Sequence, residues 1–193
     1  MNTKFLALCL LTASSISFAS DKYYGEFSFG KTNQTSESSS NRFPVDSQSL
    51  GIVVGMNLNQ YFAVEGSYVD YGKDDRVIGG SSGFVESLQS ESLGVGIKAI
   101  LPVTDQFSIY ARSGIAQWSW TYKVKDLEFP EMTASIKDSG SSWYQGVGLK
   151  LEVSDDIGVG LNYTNLSPDV RDEVGGVINH EIENISLAIS ISF

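Results

Sequence analysis

The amino-acid sequence predicts an all-β chain folded as an eight-stranded antiparallel up-and-down transmembrane β-barrel. Eight segments alternate apolar with small or polar side chains, which is the period of two that a β-strand imposes on its faces. The connections between them are alternately short and long, as in membrane barrels with short turns at one rim and long loops at the other. The strand count is even, so the first and last strands can pair and leave no edge in hydrocarbon.

The first four predicted strands each have one apolar face. In the first strand, Phe27 and Phe29 alternate with Glu26 and Ser28. The four strands are predicted over residues 23–30, 49–58, 61–70 and about 87–101. The apolar positions of the second to fourth are Leu50, Ile52, Val54, Met56 and Leu58, then Phe62, Val64 and Tyr68, then Leu93, Val95, Ile97, Ala99 and Leu101.

The last four predicted strands repeat this pattern. They run over residues 107–120, 141–153, 157–164 and 185–193, which is about the length needed to cross a bilayer at a tilt. Their apolar positions include Phe107, Ile109, Ala111 and Ile115, then Trp143, Val147, Leu149, Leu151 and Val153, then Ile157, Val159, Leu161 and Tyr163, then Ile185, Leu187, Ile189, Ile191 and Phe193.

The connections indicate which way the apolar faces point. Three are short, near residues 59–60, 102–106 and 154–156, and four are long and polar, over residues 31–48, 71–86, 121–140 and 166–181. A soluble meander would cover the same apolar faces with another layer and would have no reason to alternate its loop lengths. The alternation favours a barrel whose apolar faces meet lipid and whose four long loops are external.

The N-terminus predicts export. An apolar run begins at Phe5, and Ser17-Phe18-Ala19 places small residues at the two positions that signal peptidase reads. We expect a signal peptide over residues 1–19, followed by a barrel domain over residues 20–193. The alternative is a buried N-terminal helix or strand.

Composition limits the classes of partner. The chain of 193 residues has a formal net charge of −10 and no basic cluster, which argues against nucleic acid as a partner. Its one cysteine, Cys9, lies in the predicted signal peptide, so no disulfide is expected. No apolar run is long enough for a membrane-spanning helix.

Five charged residues share the parity of the inward face. Glu26, Glu65, Lys98, Arg112 and Lys150 are therefore the candidates for an ion-pair network in the lumen, where a buried ion needs a partner. Arg112 can hold a carboxylate through two hydrogen bonds, and Glu65 is its expected partner. The alternatives are that these residues only fill and hydrate the interior, or that they gate a small conductance.

The end of the fifth strand leaves a question of parity open. Trp118 and Trp120 fall on the same inward face as Arg112 unless a β-bulge shifts the register between them. Two indole rings would occupy much of a narrow interior.

Three stretches of the sequence resemble a known family. Residues 55–68, 101–114 and 146–157 are similar to hairpins of small OmpA/OmpX-like outer-membrane barrels. Phe193 resembles the terminal aromatic signal that the outer-membrane assembly machinery reads in that family. The resemblance covers residues 23–193 and implies an integral protein of the outer membrane of a Gram-negative bacterium.

The resemblance also carries expectations about partners and interior. It implies that outer-membrane lipids, lipopolysaccharide, the barrel assembly machinery and periplasmic chaperones are partners. Glu65, Lys98 and Arg112 match positions of an interior network that blocks or gates the barrel in the OmpA branch. Lys150 stands where that branch has an acid and Gly160 where it has an arginine, so the gate known there does not transfer unchanged.

Catalysis, metals and cofactors are not predicted. His180, the one histidine, is expected to be a solvated loop residue beside Glu181 and Glu183. Barrel deacylases place a serine two residues after the histidine, and that position is Ile182 here. The acidic loops lack the spacing of a calcium loop, although they could meet lipopolysaccharide through divalent ions.

The sequence therefore predicts a monomeric, non-enzymatic outer-membrane barrel with a structural or adhesive role carried by its loops. A host or surface ligand is the partner expected there. The alternatives are a small gated ion or solute channel, a periplasmic lipid-binding barrel and a lipid A-modifying enzyme.

Overall fold

The computed structural model describes residues 22–38, 41–78, 83–129, 133–171 and 177–193. The predicted signal peptide, residues 1–19, lies outside the described residues. The strands are β1 (Tyr23–Ser38), β2 (Asn41–Asn59), β3 (Phe62–Ile78), β4 (Phe84–Pro102), β5 (Phe107–Asp126), β6 (Thr133–Glu152), β7 (Ile157–Leu166), β8 (Asp169–Arg171) and β9 (Val177–Ser192).

The strands close into an antiparallel barrel. Each strand from β1 to β6 pairs with the next, β7 pairs with β9, and β9 pairs with β1 from Tyr24↔Ser192 to Glu37↔Asn179. Among the residues that the structure describes, the short β8 pairs with β9, and it continues the line of β7 after a break at Ser167-Pro168. Because proline has no N–H to donate, the ladder is interrupted there. The predicted fold class, an eight-stranded antiparallel barrel, is confirmed.

The two faces of the wall follow the predicted alternation. Phe27, Val54, Leu93, Val95 and Leu187 are each more than half exposed on the outside, where lipid would cover them. Small and polar residues at the alternate positions face inward and are buried. The described residues contain no helix that is long and apolar enough to cross a membrane.

The predicted long loops were wrong in extent, because most of their residues belong to strands. β1 continues to Ser38, β5 continues to Asp126, and β6 begins at Thr133, so these strands are 16 to 20 residues long. Outside the lipid both faces of a strand are wetted, so the hydrogen-bonded ladder can continue where the apolar alternation is lost, as over residues 31–38 and 133–140. The barrel therefore projects well beyond the membrane on the side of the long connections.

The projecting wall divides into two sheets. The β2–β3 ladder ends at Leu50↔Asp70 and the β6–β7 ladder ends at Tyr144↔Leu166. Beyond these points β3, β4, β5 and β6 stay paired with one another and form what we call the four-stranded projection, residues 71–78, 84–92, 118–126 and 133–143. β1, β2, β8 and β9 form the facing sheet.

Gly72 marks the point where β3 separates from β2. Its φ of 83° lies in the left-handed region, and the β3–β4 register shifts between Asp70 and Lys73. A Cβ at Gly72 would overlap the carbonyl oxygen of Gln48 on β2. Glycine is therefore required both by the backbone angle and by the close approach of the neighbouring strand.

Candidate functional site

Four charged side chains meet inside the barrel at mid-height. Glu26, Glu65, Lys98 and Arg112 come from β1, β3, β4 and β5, and each is no more than 7% exposed. Strand alternation turns all four inward, and the β4–β5 register sets Lys98 directly beside Arg112. We call these residues the charged quartet.

Each cation of the quartet contacts both carboxylates. The Nζ of Lys98 lies 3.8 Å from Glu26 Oε2 and 3.5 Å from Glu65 Oε1. Arg112 Nη2 lies 3.3 Å from Glu26 Oε2, and Arg112 Nε lies 3.5 Å from Glu65 Oε2. Two acids and two bases balance, so the quartet holds no net charge in a region where an unpaired ion would be costly.

The hydrogen bonds of Arg112 differ from the expected pairing with Glu65. Nη2 donates to both oxygens of Glu26, at 3.4 and 3.3 Å, whereas the contact with Glu65 is an ion pair through Nε. The Tyr24 hydroxyl donates to Glu65 Oε1 at 2.6 Å and competes for that carboxylate. Asn162 donates to Glu26 Oε1 at 2.9 Å, so each acid has an additional neutral donor.

Three polar residues that contact the quartet were not predicted from the sequence: Tyr24, Tyr110 and Asn162. All three lie on the inward face by strand alternation, and this was the one feature of the sequence that indicated their position in the lumen. The Nζ of Lys98 lies 4.8 Å from the ring centroid of Tyr24 and 4.2 Å from that of Tyr110, within range of a cation–π interaction. The Tyr110 hydroxyl donates to Asn162.

The fifth candidate, Lys150, lies apart from the quartet. Its Nζ is 2.6 Å from Glu152 Oε1, and the two side chains are 19% and 38% exposed near the rim with the short turns. The structure therefore brings four of the five predicted charges together and places Lys150 in a separate, wetter ion pair.

A second layer closes the lumen above the quartet, toward the projecting end. It consists of six buried apolar and aromatic side chains from five strands, which we call the apolar layer: Tyr71, Ala116, Trp118, Tyr144, Leu166 and Ile182. β5 has no register shift, so Trp118 and Trp120 do share the inward face with Arg112. Trp118 Nε1 donates to Ser142 Oγ at 3.0 Å, which satisfies the indole within the layer.

Two cavities lie on either side of the quartet. A void of about 40 Å³ separates the quartet from the apolar layer and is lined by Glu65, Arg112 and Tyr144, among others. A vestibule of about 1070 Å³ opens at the short-turn rim, and Lys98 and Tyr110 line its inner end. The vestibule therefore extends from the short-turn rim to the buried quartet at Lys98, and the two layers obstruct the rest of the lumen.

Comparison with known proteins assigns the family. The model of the outer membrane protein beta-barrel domain matches residues 5–191. The chain belongs to this outer membrane barrel family. No curated protein sequence matches it.

Solved structures of outer membrane barrels share the fold. Neisserial surface protein A is 13% identical, with a TM-score of 0.65 over 90% of this chain and 98% of that protein. Ail, the attachment invasion locus protein of Yersinia pestis, in complex with the heparin analogue sucrose octasulfate, is 12% identical, with a TM-score of 0.56 over 88% and 99%. The outer membrane protease OmpT from Escherichia coli is 8% identical, with a TM-score of 0.53 over 93% and 99%.

Family membership fixes the location of this outer membrane barrel. It resides in the cell outer membrane with its apolar belt in lipid. The periplasmic lipid-binding alternative is therefore wrong. The apolar faces of this barrel are turned outward to lipid, while charged, polar and aromatic side chains fill the interior.

The prediction that His180 is a solvated loop residue was wrong. It lies within β9, is buried and faces inward, and burial lowers its pKa to about 4. Glu181 and Glu183 point to the other face, where they accept hydrogen bonds from Asn165 and Tyr163. The two neighbouring acids therefore cannot orient the imidazole for catalysis.

Phe193 joins the ends of the barrel. Its backbone N–H donates to Tyr23 O at 2.9 Å, and its carbonyl accepts from Tyr23 N at 3.2 Å. The side chain is 48% exposed on the lipid-facing side. Its backbone thus closes the seam between β9 and β1 while its ring stays accessible.

Proposed function

We propose that this outer membrane barrel does not conduct, and that it serves a structural and adhesive role through the parts that project from the membrane. The closed lumen is the observation that carries the proposal. The charged quartet and the apolar layer lie in series, so a solute would have to disrupt both.

The two layers obstruct passage for different physical reasons. An ion entering the quartet must displace four short ion-pair contacts among side chains that are already neutral as a group. An apolar constriction excludes water and with it the hydration shell of an ion. A change that weakens one barrier therefore leaves the other in place.

The projection supplies the surface for adhesion. β5 and β6 are 20 residues each, roughly twice the 9–11 residues that a strand needs to cross the bilayer. The excess is hydrogen-bonded sheet, which holds its side chains in fixed positions for recognition. Ail, which shares this fold, is named the attachment invasion locus protein, and that name supports an adhesive role here.

A small gated channel is the second candidate. The vestibule favours it, because this cavity extends from the short-turn rim to Lys98 and movement of the quartet would lengthen the open path. Discrete conductance from the unmodified protein would support this candidate.

We propose no catalytic role. OmpT shows that a protease can have a related fold, but His180 here is buried with its neighbouring acids on the opposite face. In the described residues no cluster of histidine, cysteine and acidic side chains could hold a metal ion.

The adhesive role is tested by shortening the β5–β6 hairpin. Because Trp120 and Asp138 are register partners whose backbone groups face each other, residues 121–137 can be replaced by an Asn-Gly turn that keeps the strands paired. The shortened barrel should insert into the outer membrane normally and should lose attachment of the bacteria to an epithelial cell monolayer.

A matched control replaces Ser154-Asp155, at the opposite rim, with the same Asn-Gly turn. This control barrel should attach as the unmodified protein does. Undiminished attachment by the shortened barrel, with insertion verified by its heat-dependent gel mobility, would contradict an adhesive role of this hairpin.

A further inference from the structure

A polar cavity opens at the rim opposite the projection. The vestibule has a volume of about 1070 Å³, close to the upper end of the range for ligand pockets in proteins. Its wall presents side-chain amides and hydroxyls, from Asn57, Asn59, Gln60, Gln106, Ser108, Ser190 and Ser192. Because the short turns of an outer-membrane barrel face the periplasm, the vestibule is open to periplasmic solutes.

The charges of the vestibule wall cancel. In the described residues that line it, the cations are Lys22, Lys98 and Lys150 and the anions are Asp105, Glu152 and Asp155. A simple anion or a simple cation therefore gains no net attraction from the wall. A ligand that carries both signs of charge can use the wall without leaving any charge unbalanced.

The two signs of charge are separated by depth. The side chains of Lys98 and Lys150 are 5% and 19% exposed, whereas that of Glu152 is 38% exposed. Asp105 and Asp155 are exposed in the short turns at the mouth, where they outnumber the exposed cation Lys22. The vestibule is therefore positive at its inner end and negative at its mouth.

A buried hydroxyl group lies beside Lys150. Ser190 is 5% exposed and lines the vestibule, and in the described part of the chain its Oγ has no hydrogen-bond partner. A Cβ at Gly158 would overlap Lys150 Cε, Ser190 Oγ and Glu152 Oε2, so these three groups surround one point of the wall. An ammonium group, a hydroxyl and a carboxylate are thus gathered at one side of the cavity.

The charged quartet forms the floor of the vestibule and leaves Lys150 as the cation available to a ligand. Lys98 already contacts both Glu26 and Glu65. Lys150 contacts Glu152, whose side chain is partly exposed. Exchange of one carboxylate for another at Lys150 conserves the number of ion pairs and requires no rearrangement of the quartet.

We propose that the vestibule binds a short peptide with free ends, its carboxylate at the inner end and its ammonium group at the mouth. The carboxylate would accept hydrogen bonds from Lys150 Nζ and Ser190 Oγ. Glu152, which lies 2.6 Å from Lys150 Nζ, would turn to the ammonium group of the ligand. The amides and hydroxyls of the wall would pair with the peptide groups. This site goes beyond the proposed adhesive role, because it lies at the opposite rim.

The test uses trialanine, titrated into the protein in phospholipid nanodiscs. The backbone amide NMR signals of Lys150, Glu152 and Ser190 report binding. Trialanine amide lacks the carboxylate, and N-acetyl-trialanine lacks the ammonium group. We expect saturable binding of trialanine and about tenfold weaker binding of each blocked peptide.

Two variants assign the ends of the ligand. Lys150→Met should weaken trialanine binding about tenfold and should remove the preference for trialanine over its amide. Glu152→Gln should narrow the preference for trialanine over N-acetyl-trialanine. Lys123→Met, at an exposed position on β5 in the projection, is the control and should bind trialanine as the unmodified protein does. Heat-dependent gel mobility verifies that each variant is folded.

Three results would overturn the zwitterionic site. One is the absence of a saturable shift with trialanine. Another is equal binding of trialanine and N-acetyl-trialanine by the unmodified protein, which would indicate a simple carboxylate site. The third is an unchanged preference for trialanine over its amide in Lys150→Met.

Discussion

Lys98 and Arg112 are direct neighbours across the β4–β5 ladder, yet both cations are buried. Two positive charges at adjacent positions are stable there because each contacts both Glu26 and Glu65. The repulsion between the two cations is thus offset, because each lies against both carboxylates in a cluster of two acids and two bases. This relationship makes the four residues one electrostatic unit and predicts that loss of any one affects the other three.

Removal of Arg112 should be strongly destabilising. Arg112→Ala leaves two buried carboxylates with one cation, and breaking a buried ion pair in this way costs about 3–5 kcal/mol. The free energy of unfolding of the refolded barrel in urea measures this effect. Lys150→Ala is the matched control, since its ion pair with Glu152 is partly exposed and should be worth about 1 kcal/mol or less. Equal losses in the two variants would contradict the assignment of Arg112 to a buried unit.

Gly72→Ala should disturb the separation of β3 from β2. The substitution places a Cβ at a φ of 83° and against the carbonyl of Gln48, and we expect a loss of about 1–3 kcal/mol. Gly66→Ala, on the same strand, is the control because the atom nearest to its added Cβ is Val54 Cγ2 at 3.8 Å. Urea unfolding of both variants checks the difference, and an unaffected Gly72→Ala barrel would refute the requirement for glycine.

Stability should fall as pH is lowered from 6.5 toward 4, and His180 should be responsible. Burial lowers the folded-state pKa of His180 to about 4, so in this window the unfolded chain binds a proton that the folded barrel does not. Stability is then fully present above pH 6.5 and declines by at most about 1.4 kcal/mol per pH unit. Unfolding curves at pH 7.5, 6.0 and 5.0 measure the slope. The slope between pH 6.5 and 5 should flatten in His180→Gln, and an unchanged slope would assign the effect elsewhere.

Phe193→Ala should impair membrane insertion more than its exposed area suggests, if the terminal ring is read during assembly. The substitution keeps the backbone hydrogen bonds to Tyr23, so only the ring is lost. Phe62→Ala is the control, because Phe62 is 47% exposed on the lipid-facing side against 48% for Phe193. The quantity measured is the fraction of folded protein recovered in the outer membrane. Equal recovery of the two variants would leave Phe193 as an ordinary lipid-facing residue.

Strand parity was sufficient to assign most of the side chains that fill the lumen. Glu26, Glu65, Lys98 and Arg112 were assigned to the interior because a period of two leaves no other face for them, and all four are buried there. Strand parity does not give the position of a residue along the barrel axis, so it could not show that Lys150 lies nearer the short-turn rim than the other four charged residues. Nor could it show that the Tyr24 hydroxyl would occupy Glu65 and leave Arg112 to hydrogen-bond with Glu26.

The extent of the strands was the part least accessible to sequence reasoning. Residues 133–140 contain no apolar alternation, because both faces of β6 are wetted beyond the membrane. On β5 the alternation does continue through Tyr122 and Val124, but it was not followed past Trp120. Their pairing depends on the ladder already formed below them. The projection becomes visible only from the register of the strands.

Planar-bilayer conductance tests the closed lumen most directly. The measurement compares the unmodified barrel, a quartet variant (Glu65→Gln with Lys98→Met), an apolar-layer variant (Trp118→Ala with Tyr144→Ala) and the combination of all four substitutions. We expect silent bilayers for the first three proteins and conductance only for the combined variant, because each layer seals the lumen without the other. Steady, discrete conductance from the unmodified barrel, altered by the quartet substitutions alone, would contradict a closed lumen.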